Sequence, residues 1–174
     1  MSKMLERLVC ERINTQLGKI GTLSLVHSAY RSNYSTETAL TKVVSDIIMT
    51  ADAGDVTVLA LLDLSAAFDT VDHVFLLQRP QTTHHVTGNV LQWFKSYLHG
   101  RYESVLFEGE TSTAVSVAHG VPRGCVLGPL LLILYTSAIP RIIVKDGLLC
   151  MCYVDDTQLY FRLKTQYASG ILCQ

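Results

Sequence analysis

Charged residues are scarce in this chain. Lys, Arg, Asp and Glu make up 17% of its 174 residues and apolar residues make up 49%, whereas about 25% of the residues of a typical soluble domain are charged. A chain of this length can bury one sizeable core. We expect a piece of a larger protein whose other segments cover some of its faces, because large exposed apolar patches make an isolated domain adhesive.

An excess of positive charge is also missing. The net charge is −1, and the 14 basic residues are spread from Lys3 to Lys164. They form no basic stripe of the kind that binds phosphate backbones. If the protein acts on nucleic acid, its main phosphate-binding surface lies in other segments.

The sequence lacks the marks of a disulfide-stabilised, zinc-binding or membrane protein. Its five cysteines are an odd number without a CxxC pair, which supports neither a disulfide framework nor a zinc site. Charged residues near the start exclude the apolar core of a signal peptide. The longest apolar run, 126–135, contains glycine and proline and is far shorter than the roughly 20 residues of a membrane span. We expect a soluble intracellular protein, in the nucleus, the cytoplasm or both, with no membrane partner.

The spacing of the apolar residues predicts a mixture of helices and strands. In chain order we predict first a helix over 3–17 that ends at Gly18 and Gly21, then a helix capped by Ser35 or Thr36 that ends before Gly54, and then a buried strand over 56–62. Two further helices follow, one that Pro80 ends and one between Gly88 and Gly100. The last predicted elements are a hairpin around Glu108, Gly109 and Glu110, a short buried helix over 130–139 and a second hairpin over 148–163. Irregular alternation with two hairpins is typical of an α+β domain, in which helices pack on one face of an antiparallel sheet.

Three aspartates are the candidate catalytic residues. Asp155 and Asp156 interrupt an apolar hairpin, and alone they are explained by the preference of aspartate for tight turns. Asp63 ends an apolar strand, where it either caps the next helix, a role that Ser65 and Thr70 can also fill, or serves chemistry.

If the strand that ends at Asp63 lies beside the second hairpin, the three carboxylates converge. At about 5 Å and an effective dielectric near 20, each like-charge pair costs roughly 3 kcal/mol, so the cluster needs a cation. Mg²⁺ prefers carboxylate and phosphate oxygens. Two such ions about 3.5–4 Å apart support in-line phosphoryl transfer.

A glycine-rich loop over Gly120–Gly124 is the second candidate site. Missing side chains let the backbone approach a ligand closely. The alternative is a plain connection between a strand and a helix.

The segments LALLDLSAAFDTVDH, HGVPRGCVLGPLLLILY and CYVDDTQLY follow one another in this order. Together they strongly resemble the reverse transcriptase domain of non-LTR (LINE-type) retrotransposons, and YRSNYSTETALTKVVSDI resembles the helix-forming motif upstream. The resemblance covers about residues 4–163. It implies a right-hand polymerase palm with part of the fingers, which copies an RNA or DNA template into DNA.

The resemblance implies roles for individual residues. Asp63, Asp155 and Asp156 would be the catalytic, metal-binding aspartates, with two Mg²⁺ ions for which Mn²⁺ can substitute. Leu64 and Phe68 would contact the incoming nucleotide, and the Phe68 ring would exclude a 2′-hydroxyl.

Further roles fall on the glycine loop and on the second hairpin. By the same resemblance Gly120, Pro122, Arg123 and Gly124 would line the nucleotide site. Tyr153 and Val154 would lie near the 3′ end of the primer.

Two departures from the family pattern affect the glycine loop. Arg123 and Cys125 stand where glutamine and serine are usual, and an arginine there either clamps a phosphate or obstructs the template base. The resemblance also implies that upstream fingers, the last palm strands, the thumb and any endonuclease lie in a parent polyprotein. It assigns residues 1–54 to a helical segment of the fingers that supports the palm, and 55–174 to the palm.

Three functional hypotheses remain open at this stage. The leading one is a fragment of an RNA-directed DNA polymerase that acts on a template-primer and deoxynucleoside triphosphates. The second is a catalytically inactive, retrotransposon-derived remnant. The third, an unrelated metal-dependent phosphohydrolase or cyclase, has to explain Phe68 and the glycine loop by coincidence.

Overall fold

The computed structural model describes residues 2–21, 24–31, 33–84, 86–122 and 124–166. The helices are α1 (Ser2–Ile20), α2 (Thr36–Asp52), α3 (His73–His84), α4 (Gly88–Leu98), α5 (Gly128–Thr136) and α6 (Ile139–Lys145). The strands are β1 (Val56–Asp63), β2 (Tyr102–Glu103), β3 (Leu106–Phe107), β4 (Glu110–Thr111), β5 (Val115–Ser116), β6 (Leu149–Tyr153) and β7 (Asp156–Leu163). This mixture of helices and antiparallel strands confirms the predicted α+β class.

The chain forms two compact units, each built from two separate segments. The helical unit comprises the described residues of 2–21 and 66–135, and the sheet unit comprises those of 24–65 and 136–166. The predicted division at residue 54 concerns fingers and palm, and it stays a prediction.

The sheet unit is organised by three antiparallel strands in the order β1-β7-β6. The register of β1 and β7 runs from Val56 opposite Leu163 to Asp63 opposite Asp156. Strands β6 and β7 form the second predicted hairpin, which a pair between Tyr153 and Asp156 closes. The strand before Asp63 therefore lies beside this hairpin, as the sequence analysis supposed.

Helix α2 begins as the sequence predicts and packs on this sheet. The hydroxyl of Ser35 accepts a hydrogen bond from the Thr38 amide at 3.2 Å, and the Thr38 hydroxyl accepts one from the Ser35 amide at 2.8 Å. Both bonds satisfy amides that lack partners within the helix. A buried cluster joins Ala39 and Val43 of the helix to Met151 and Tyr160 of the sheet.

A polar contact orients Tyr160 within this cluster. Its hydroxyl donates to a carboxylate oxygen of Asp46 at 2.7 Å. Burial raises the pKa of Asp46, but hydrogen bonds from Lys42 and Tyr160 and the charge of Lys42 outweigh it and leave that pKa below its ordinary value. Burial, followed by the bond to Asp46, raises the pKa of Tyr160, so the phenol remains a donor at neutral pH.

The prediction that β1 is a buried strand is wrong. Its side chains are largely exposed, with Leu61 at 73% and Leu62 at 50%. A continuous apolar run is typical of a strand covered on both faces. Here β1 is an edge strand that pairs only with β7 among the described residues, so its apolar residues lack the cover that the pattern predicts.

In the helical unit, α1 shows the same discrepancy over part of its length. Ile13 and Leu17 are buried as expected, but Met4 is 82% exposed, and Leu5 and Leu8 are also exposed. Neighbours do reach the N-terminal half of the helix, since Glu6 there is buried. They cover the side that carries Glu6, Ile13 and Leu17, whereas Met4, Leu5 and Leu8 lie on a different side of the helix.

One predicted helix end is right in part and another is wrong. Helix α1 continues past Gly18 to Ile20 and ends before Gly21, which has the expected positive φ, +65°. Pro80 lies inside α3 rather than after it. A proline in a helix interior removes one backbone hydrogen bond, but Pro80 is fully buried, and this packing offsets the loss.

By length and composition alone, Gly128–Lys145 could cross a membrane. Half of this window is buried inside the protein, and two separate helices, α5 and α6, share it. Buried helices of soluble proteins pass the same test, so the window is weak support for a membrane span.

Candidate active site

Two of the three candidate aspartates are direct neighbours across the sheet. Asp63 is the last residue of β1, Asp156 is the first residue of β7, and the two are paired in the register. Residues that stand opposite each other in antiparallel strands project to the same face, with Cβ atoms about 5 Å apart. Both are exposed. Like charges in this arrangement destabilise the sheet unless a cation lies between them.

The third aspartate lies in the turn between β6 and β7. Val154 and Asp155 are the only residues between the paired Tyr153 and Asp156. Val154 has a φ of +60°, which is rare for a β-branched residue and costs of order 1–3 kcal/mol. Such strain is concentrated at functional sites in proteins. The turn therefore places Asp155 directly before Asp156, the residue that is paired with Asp63.

The paired aspartates line a small cavity of about 220 Å³ together with Leu61, Thr157 and Gln158. Asp155 is not among its lining residues. Among the described residues no three His, Cys, Asp or Glu side chains form a group able to hold a metal ion, and no Lys or Arg forms an ion pair with the three aspartates. Two opposed, unpaired carboxylates nevertheless suit a hard divalent cation by their donor chemistry.

The glycine loop is tied to the turn that carries Phe68, and both belong to the helical unit. The Gly120 amide donates to the Val71 carbonyl at 2.7 Å, and the Val121 amide donates to the Phe68 carbonyl at 2.7 Å. A ring nitrogen of His73 lies 2.7 Å from the Gly120 carbonyl oxygen. The predicted nucleotide-site residues Phe68 and Gly120 are therefore held together by backbone hydrogen bonds.

Gly120 is required at its position for two reasons. A Cβ atom there would lie 3.0 Å from the carbonyl oxygen of Asp69 and 3.1 Å from that of Phe68, and φ is +82°. Both neighbours are backbone atoms that cannot rotate away. The missing side chain thus permits close approach between two parts of the protein. The predicted approach of this loop to a ligand stays a prediction.

Replacing Gly120 by alanine is expected to lower the free energy of unfolding by about 3 kcal/mol, from left-handed strain and overpacking together. Urea titration followed by circular dichroism measures the change. Gly109→Ala is the matched control, because Gly109 has a φ of +88° and nothing within 4 Å of an added Cβ, so only about 1 kcal/mol is lost. Equal losses in the two variants would contradict the role of the close contact.

The remaining loop residues have less specific surroundings. Pro122 is half-buried, and Gly124 is exposed with a φ of +70°. Arg123 lies outside the described residues. Cys125 stands where the family usually has serine, and its sulfur accepts a hydrogen bond from the Gly128 amide at 3.0 Å. The thiol thus satisfies an amide at the start of α5, which is the usual role of a capping hydroxyl.

A larger cavity beside the loop was not predicted from the sequence. Its volume is about 560 Å³, and its walls include Gly120, Pro122, Asp69, Arg101 and His119. The sequence gives no pattern that joins Arg101 to the loop, since the two are brought together by the pairing of β2 with β5.

Comparison with known proteins decides the family. The family model described as "Reverse transcriptase (RNA-dependent DNA polymerase)" matches residues 1–172. The chain belongs to the reverse transcriptase family. The resemblance to reverse transcriptases of non-LTR retrotransposons, stated above from three motifs, is confirmed.

Two relatives are encoded by mobile elements of fruit flies. The chain is 31% identical to the probable RNA-directed DNA polymerase from transposon X-element of Drosophila melanogaster, over 98% of this chain and 19% of the relative. It is 30% identical to the RNA-directed DNA polymerase from mobile element jockey of Drosophila funebris, over 90% of this chain and 17% of the relative. This reverse transcriptase family chain thus spans about a fifth of the length of these relatives.

A solved structure supports the fold. Telomerase from Candida albicans, in complex with the TWJ fragment of telomeric RNA, superposes with a TM-score of 0.63 at 14% identity, over 94% of this chain and 31% of that one. This likeness agrees with a polymerase palm-like fold for this member of the reverse transcriptase family.

The other predicted site residues of this reverse transcriptase family chain lie in the sheet unit. Leu64 is exposed and follows Asp63 directly. Tyr153 is half-buried and packs against the cluster beneath α2. The roles assigned to the site residues by resemblance stay predictions.

Proposed function

We propose that this chain is the catalytic palm portion of an RNA-directed DNA polymerase, which adds deoxynucleotides to the 3′ end of a primer. The observation that carries the proposal is the cross-strand pair of Asp63 and Asp156, next to the turn that holds Asp155. Membership of the reverse transcriptase family supports this activity.

The carboxylates of Asp63, Asp155 and Asp156 would hold divalent cations. Reverse transcriptases use divalent metal ions, and two Mg²⁺ ions or Mn²⁺ would supply Lewis-acid stabilisation of the attacking and leaving oxygens. The sheet fixes the backbone positions of these residues before substrate binds, since Asp63 and Asp156 are paired in the register and Asp155 lies in the adjoining strained turn. Preorganised charge of this kind avoids reorganisation during the reaction.

Residues of the helical unit would select and orient the nucleotide. The Phe68 ring would exclude a 2′-hydroxyl, and the Gly120 loop would line the nucleotide site. Hydrogen bonds between the Phe68 turn and the loop keep these two features in fixed register. Phosphate-binding and duplex-binding surfaces would come from other parts of the polyprotein, which agrees with the net charge of −1.

A chimera tests the proposal. Residues 2–166 replace the matching segment of the X-element polymerase, and extension of a primer on an RNA template is followed with Mg²⁺ and the four deoxynucleotides. We expect extension that Asp155→Asn abolishes in the same chimera. The unmodified X-element polymerase is the positive control. If it extends the primer, and the chimera folds and binds the template-primer but does not extend it, the chain is an inactive remnant.

A further inference from the structure

An exposed arm in the helical unit carries an unusual concentration of apolar side chains. Residues 102–116, here called the β arm, form the antiparallel pairs β2-β5 and β3-β4. The large apolar residues of the arm are 65–72% exposed. They are Tyr102, Val105, Leu106, Phe107 and Val115.

The arm is an ordered hairpin. Its tip residues Glu108 and Gly109 have φ values of +49° and +88°, the pattern of the tight turns that match the twist of paired strands. The Val105 amide donates to the Ser112 hydroxyl at 2.9 Å, and the Ser112 amide donates to the Val105 carbonyl at 2.9 Å. Its apolar side chains are therefore presented on a defined backbone.

The charge of the arm is acidic. Glu103, Glu108 and Glu110 lie within it, and it contains no Lys, Arg or His. A surface that combines exposed apolar residues with negative charge is complementary to an apolar surface with basic residues.

Helix α1 of the same unit offers such a surface. Its N-terminal half exposes Met4, Leu5 and Leu8. The exposed charged residues of the helix are Lys3, Arg7, Arg12 and Lys19 against the single exposed acid Glu11, while Glu6 is buried. Positions three and four apart are neighbours on a helix. Arg7 is therefore a neighbour of Met4, and Arg12 is a neighbour of Leu8.

We propose that the β arm of one copy of this chain docks on the N-terminal half of α1 of a second copy. The arm supplies Leu106 and Phe107 to the apolar stripe of α1, and its glutamates face Arg7 and Arg12. The two surfaces differ, so the contact is heterologous, and it extends beyond a dimer unless the copies close a ring. The proposal is independent of the proposed polymerase activity.

Charge exchange between the two surfaces tests the proposal on the 174-residue protein. One variant carries Glu108→Lys and Glu110→Lys, and the other carries Arg7→Glu and Arg12→Glu. We expect the wild type to exceed its monomer mass of 19.3 kDa as concentration rises in sedimentation velocity runs. Each variant alone remains a monomer, and an equimolar mixture of the two associates again, because each arm then meets an α1 of opposite charge.

Two further variants complete the design. Phe107→Ser is expected to weaken association at least tenfold, since the ring fills the apolar part of the contact. Asp52→Lys is the control, because it reverses an exposed charge in the sheet unit, and it should associate like the wild type. Circular dichroism checks that every variant is folded.

Three outcomes would overturn the proposal. The first is a wild type that stays at 19.3 kDa up to about 100 times the lowest concentration that the assay detects. The second is an α1 variant that associates like the wild type, as it would if two arms paired with each other. The third is a mixture of the two charge-reversed variants that stays monomeric.

Discussion

Replacing Asp63 by asparagine is expected to abolish primer extension in the chimera while making the metal-free 174-residue protein more stable. Asparagine keeps the shape of the side chain and removes the charge. Loss of one cation ligand costs several kcal/mol of transition-state stabilisation, which corresponds to a rate about 10³-fold lower. Removing the repulsion with Asp156 stabilises the sheet by about 0.5–1 kcal/mol.

The two effects are measured separately. Extension rates come from the chimera, and the free energy of unfolding comes from urea titration of the 174-residue protein in a chelating buffer. When Mg²⁺ replaces the chelator, we expect it to stabilise the wild type and to leave Asp63→Asn unaffected. Glu11→Gln, a change at an exposed carboxylate in the middle of α1, should alter neither. A less stable Asp63→Asn protein would show that the carboxylate has a structural partner, and the argument from repulsion would fail.

Replacing Glu6 by alanine is expected to destabilise the protein by about 3 kcal/mol. This side chain of α1 is buried, at 5% exposure, and its Oε2 accepts hydrogen bonds from the amides of Val126 at 2.7 Å and Leu127 at 3.4 Å. These amides precede α5, where the positive end of the helix dipole favours a carboxylate. Alanine leaves both amides without their partner.

Two companion variants separate this capping role from other effects. Glu11→Ala removes an exposed carboxylate from the same helix and should change stability by less than about 0.5 kcal/mol. Glu6→Gln keeps an acceptor oxygen without the charge and should fall between Glu6→Ala and the wild type. If Glu6→Ala unfolds at the same urea concentration as Glu11→Ala, the contact has no energetic weight.

The sequence was most informative where local chemistry decides the structure. The cap of α2, the hairpin with Asp155 in its turn and the position of Asp63 at the end of β1 follow from short patterns. The pairing of Asp63 with Asp156 required the further supposition that β1 lies beside the second hairpin. The family resemblance agreed with that supposition. The positive φ of Val154 has no such pattern, since a β-branched residue is among the last expected in that conformation.

Predictions were wrong where contacts with a distant part of the chain determine the burial or the length of an element. The apolar run of β1 predicts a covered strand, but a run contains no information about which segment covers it. Pro80 is a helix breaker by its own chemistry, and burial overrides that preference. The contact of Glu6 with the amides before α5 has no local pattern at all. Arg123, the strongest departure in the glycine loop, lies outside the described residues.

The interleaved order of the two units affects how the protein can be made. Glu6 and the amide that it binds are 120 residues apart, and at about 5–20 residues per second a ribosome needs about 6–24 s to synthesise that interval. During this time residues 24–65 of the other unit emerge, while the side of α1 that carries Ile13 and Leu17 lacks the residues that later bury it. No contiguous fragment that stops before residue 126 can therefore complete the helical unit.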